Sequence, residues 1–175
     1  MQKTKLKRTT ALGLLAGAIY NSWPLGHWLN PRVAHDSLAS GLEAVHQPYD
    51  WLFISTDVLS SILVIVLCYW LWRIYKIRSS YLRGSLYCFM LFAIGTTVDA
   101  LLPERCVPNL MQCPNFTQDH YLLIHGMFSI LASVFLFVAL VILWLHKPKD
   151  IVLSVLLAGY VAFGLISLVQ AITPG

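Results

Sequence analysis

Apolar residues run together in five stretches, 9–28, 51–72, 84–102, 121–145 and 151–173, and polar residues gather in the connections between them. A stretch of about 20 apolar residues, rising about 1.5 Å per residue, crosses roughly 30 Å of hydrocarbon. The pattern therefore predicts an all-α fold, an integral membrane bundle of five transmembrane helices that forms a single domain over residues 1–175. Aromatic residues mark the boundaries: Trp51 opens the second stretch and Tyr69, Trp70 and Trp72 close it, as in the belts at membrane interfaces. In the third and fourth stretches polar residues recur at helical spacing, with Ser85, Cys88, Thr96 and Asp99 on one and Tyr121, His125, Ser129 and Ser133 on the other.

Charge orients this bundle. With a cytoplasmic N-terminus, Lys3, Lys5, Lys7, Arg8, Arg73, Lys76, Arg78, Arg83, Lys147 and Lys149 all lie inside, and only Arg32 and Arg105 lie outside. That asymmetry predicts N-terminus in and C-terminus out, in a bacterial inner membrane. Hydrophobic residues make up 58% of the chain and charged ones 11%, too few charges for the surface of a soluble domain. The net charge of +4 is spread between spans, so it reads as topology and excludes a nucleic-acid partner. The basic start followed by ALGLLAGAIY also resembles a secretory signal, but cleavage near Ala18 leaves only about five apolar residues before Ala16, short of the usual 7 to 15. The first stretch is read as a retained helix.

Each span brings a polar group to the same layer, within about one to two turns of its outer end: Asn21, Asp57, Asp99, His125 and Gln170. Ser60 and Ser61 share the face of Asp57. A carboxylate at that depth costs on the order of 1 to 3 kcal/mol and should face the bundle or a wet cavity. Asp57, Asp99 and His125 are accordingly the candidate catalytic residues, and Asn21, Ser60, Ser61 and Gln170 the candidate binding residues. Interhelical glue, worth about 0.6 kcal/mol per pair, is the competing reading and the better one for Asn21 and Gln170. Asp99 and His125 are expected to meet across the interface of neighbouring helices, with Asp57 arriving from the second span.

The connections add less. His27, His35, Asp36, Glu43 and His46 lie in the first outer loop, but their spacing fits no zinc motif, and its histidines are read as solvated. Within that loop ASGLEAVHQP predicts a short surface helix capped by Ser37 or Ser40 and stopped by Pro48. Cys106 and Cys113 are the two cysteines outside the spans; in an oxidising compartment they would form a disulfide worth roughly 2 to 3 kcal/mol. Cys68 and Cys88 read as small apolar helix residues.

The segments HQPYDWLFISTDVLSS, GTTVDALLPERCVP and HGMFS resemble a prokaryotic multi-spanning membrane family catalogued as domain of unknown function 998. The resemblance runs from about Ser37 to Ser133 and rests on Gln47, Pro48, Asp57, Asp99, Pro103, Cys106, Cys113, His125 and Ser129. Arg105 departs from it, standing where an acidic residue is common, and five spans replace the usual six. The resemblance implies fold and compartment and no activity. No serine elbow, HExxH, P-loop or dinucleotide fingerprint is present, and no metal or cofactor is expected. Two carboxylates and an imidazole suit acid/base work. The expected function is an outward Asp/His pocket that binds a lipid or lipid-linked headgroup, with hydrolase-like chemistry as its extension. The alternatives are a structural subunit packed on another membrane protein and a proton-coupled carrier.

Overall fold

The computed structural model describes the backbone of residues 2–36, 39–105, 107 and 120–172, with side chains over 7–33, 40–74, 76–105, 107 and 120–166. Among the described residues there is no strand. The helices are α1 (Gln2–Tyr20), α2 (Gly26–Leu29), α3 (Pro31–Asp36), α4 (Asp50–Tyr75), α5 (Ser80–Leu101), α6 (His120–His146) and α7 (Ile151–Ile172), with 3₁₀ turns at Trp23–Leu25 and Ala39–Glu43. Three of them, α4, α5 and α6, are long and apolar enough to cross a membrane; α7 contributes a shorter apolar stretch, Ile151–Ile166.

The first long helix ends at Tyr20 rather than at Trp28. Pro24 explains the break, because it has no N–H to donate to the Tyr20 carbonyl four residues back and its ring crowds that carbonyl. The chain tightens into the 3₁₀ turn, and Asn21 folds back so that its Nδ2 donates to the Gly17 carbonyl at 2.8 Å. The segment after it therefore belongs to a cap over one end of the bundle.

Helix α5 is the centre of the packing, with α4 on one side and α6 on the other; α1 packs on α4 and α7 on α6. Small residues allow the close approach of α5 and α6 that membrane helices need. Ala93, Gly95 and Ala100 of α5 and Ala132 and Ala139 of α6 are buried, and Ser85 Oγ donates to the Ala139 carbonyl at 3.2 Å. Helix α7 is held at the other end, where Asp150 Oδ1 accepts from the Val152 and Leu153 N–H groups and satisfies two otherwise unpaired donors of its first turn.

The cap closes the end of the bundle where α5 stops and α6 starts. Leu42 is its apolar anchor, packed with Val33 and Phe53 and flanked by Leu29. Gly26 makes room for it: a Cβ there would lie 2.5 Å from Leu42 Cδ1. Residues 41–44 are buried, so the expected surface helix is a buried 3₁₀ turn that ends at Glu43, well before Pro48. Its chain turns into α4 through two left-handed residues, His46 (φ 69°) and Tyr49 (φ 64°).

Candidate functional site

Beneath the cap, α5 ends within reach of the second turn of α6. Leu102 caps α5 and leaves its carbonyl without a helical partner, and His125 Nδ1 meets it at 2.8 Å. A carbonyl only accepts, so Nδ1 carries a hydrogen. Asp99 Oδ1 stands 3.1 Å from the same nitrogen. Ser129, one helical turn beyond His125, donates from Oγ to Asp99 Oδ2 at 2.8 Å. Because that hydroxyl is turned to the carboxylate, Ser129 is a positioning group for Asp99.

The other ring nitrogen has its own carboxyl group. Glu104, two residues past the end of Leu102, places Oε1 at 3.4 Å from His125 Nε2. Ser40 Oγ from the cap donates to the same Oε1 at 3.3 Å, and the Val45 N–H donates to the Glu104 carbonyl at 2.8 Å. The imidazole is buried, at 3% exposure, with an acidic side chain at each nitrogen. One proton between Nε2 and the Glu104 carboxyl completes the contact.

Asp57 stands with a different partner. Its carboxyl group is hydrogen-bonded to Glu43 of the cap, and it feels the charge of Asp99. Two carboxyl groups can share a hydrogen bond only when one holds a proton. Burial, and then the charges of Asp57, Asp99 and Glu104, push Glu43 up to about 9. Ser60 Oγ donates to the Asp57 carbonyl at 2.9 Å. Ser61 Oγ is buried and has no protein partner.

The structure thus brings Asp99 and His125 into direct contact across α5 and α6, while Asp57 is held by Glu43 at the same end. Asn21 is exposed, with its amide turned to its own helix. Gln170 lies on α7, and its side chain is outside the described residues, as are Cys106 and Cys113 and hence the disulfide expected of them. His27 and His46 are exposed. Among the described residues no group of three His, Cys, Asp or Glu has the arrangement of a metal site. Glu43 and Glu104 are the site residues that sequence reasoning missed. A lone acid inside the apolar run GLEAV was the available signal for Glu43; for Glu104 there was only its position one residue after Pro103.

A family model described as "Protein of unknown function (DUF998)" matches residues 11–174, nearly the whole chain. The chain belongs to this family. No curated protein and no solved structure matches it. In this DUF998 chain the matched region includes all five members of the acidic and imidazole group, from Glu43 to His125.

Proposed function

We propose that the chain crosses a bacterial inner membrane five times, with its N-terminus inside and the capped end outside, and that the group beneath the cap receives the ammonium part of a lipid or lipid-linked headgroup. The observation that carries the reading is an imbalance of charge. Asp99 and Glu104 hold one imidazole between them, Glu43 and Asp57 form a second acidic pair at the same end, and among the described residues the ion pairs of this group involve no lysine or arginine. The adjacent cation, Arg105, is turned away, its guanidinium 4.2 Å from the centre of the Tyr121 ring. Buried acidic groups without a basic partner favour a positively charged occupant. His125, oriented at Nδ1 by Leu102 and Asp99, is placed for proton exchange at Nε2, which is what hydrolase-like chemistry on the bound headgroup would use. An outer, oxidising location would allow the bridge expected between Cys106 and Cys113.

The reading is tested by native mass spectrometry on protein released from nanodiscs that hold equal amounts of phosphatidylethanolamine and phosphatidylglycerol. Wild-type protein is expected to retain the ethanolamine lipid in about threefold excess or more. Asp99→Asn and His125→Gln should lose that excess while keeping their helix content. Equal retention of both lipids by wild type, or an excess unaffected by both variants, would overturn the headgroup site. A second reading, a non-enzymatic subunit of a larger membrane complex, draws on α7, where Phe163 is 63% exposed and an added Cβ at Gly159 or Gly164 would meet open space. That reading predicts variants on α7, not beneath the cap, as the ones that disturb assembly.

A further inference from the structure

We infer that the Glu43–Asp57 carboxyl pair is a pH-operated latch, which holds the cap shut while the pair shares a proton and releases it when that proton is lost. The inference rests on the site reading only for what the latch would regulate. Its basis is the geometry of the cap. Residues 40–45 carry two polar attachments to the bundle: Glu43 reaches Asp57 of α4, and Ser40 and Val45 hold Glu104. Between them Leu42 is seated by its apolar neighbours. Glu43 is the deeper of the two acids on the cap side, 9% exposed, so water does little to screen a charge placed there.

The groups around Glu43 come from every side. Tyr20 faces it from α1, Asp57 from α4 and Asp99 from α5; Glu104 follows α5, and His125 of α6 stands behind Asp99 and Glu104. His125 is the only basic side chain among them and is already engaged by two acids. Removing the shared proton leaves two facing carboxylates in a poorly screened site with no spare positive charge, and like charges so placed repel. The sign follows: Glu43 is raised from 4.5 to about 9, so its contribution to closure is complete below the lower value and lost as pH rises through the upper one.

The Val45 amide reports closure directly, because it is bonded across to the Glu104 carbonyl; the Ala44 and Gln47 amides, bonded to Gly41 and Ala44 in turns of the cap itself, report its order. Hydrogen exchange on the full chain in nanodiscs, corrected for the intrinsic pH dependence of exchange, is expected to show protection at these amides falling about tenfold or more between about pH 6 and about pH 10. Amides around Gly95 in α5 should stay protected over the same range, which separates release of the cap from loss of the bundle. Glu43→Gln keeps a hydrogen-bond donor for Asp57 and removes the titration, so cap protection should become independent of pH. Asp57→Asn removes the facing carboxylate but leaves Glu43 to titrate against its burial, so the fall should become shallower than in wild type without disappearing. Constant protection in wild type, or a fall as steep in both variants as in wild type, would overturn the latch. Neither outcome depends on which lipid is retained, so failure of the latch and failure of the headgroup site are read separately.

Discussion

Gly95→Leu is expected to lower the stability of the bundle by on the order of 4 kcal/mol and to separate Asp99 from His125. A Cβ at residue 95 would already stand 3.1 Å from Ala132 Cβ, 3.3 Å from its Cα and 3.5 Å from its backbone nitrogen. The two helices touch nearly backbone to backbone there, and Ala93 and Ala139 of the same two helices are fully buried. Alanine requires a shift of a few tenths of an ångström and should cost about 1 kcal/mol or less. Leucine has no such solution and must part α5 from α6. Asp99 lies one turn beyond Gly95 and His125 about two turns before Ala132, so the wedge falls at the base of the site. Unfolding in a denaturing detergent series measures the loss. A leucine variant as stable as wild type would mean that the α5–α6 interface is not the close contact described.

His125→Ala should cost roughly 3 to 5 kcal/mol, the usual result of removing one partner from a buried charged pair. The loss is that large because three acceptors face the ring: the Leu102 carbonyl, Asp99 Oδ1 and Glu104 Oε1. Without the imidazole the Leu102 carbonyl loses its donor in a place water barely reaches, and the Asp99 and Glu104 carboxyl groups lose the basic group between them. A double-mutant cycle isolates the pair. Adding Asp99→Ala to His125→Ala should cost at least about 1 kcal/mol less than the two single changes together. Additivity within about 0.5 kcal/mol would mean that the two residues stabilise the bundle independently and do not form one unit.

The Asp99–His125 contact was legible in the sequence because each partner sits inside a long helix whose end is marked, by Pro103 on one side and by Asp119 and His120 on the other. Helical spacing also brought Ser129 onto the face of His125. The same spacing misled one step later: a four-residue step overshoots a helical turn by about 40°, and Ser133 has rotated out to an exposed position, where its carbonyl accepts from Tyr160 at 2.8 Å. Glu43 and Glu104 were not legible as site residues. Each lies in a connection with no periodicity, and each is placed by the return of the cap onto the bundle, a tertiary event that leaves no local trace in the chain. The end of α1 was legible in principle, since Pro24 stands in the run, but hydropathy carried the expected span through it. Gly95 looked like any glycine in a membrane helix until its neighbour across the interface was known.

Whether a headgroup enters beneath the cap is decided most directly by photocrosslinking. A phospholipid bearing a diazirine next to its ammonium group is incorporated into nanodiscs with the full chain, illuminated, and the labelled residues are mapped by peptide mass spectrometry. A headgroup site predicts label on Asp99, Glu104 or His125, competed away by unlabelled ethanolamine lipid. Label confined to exposed side chains away from the cap, such as Met127 and Phe163, with none beneath the cap, would contradict it.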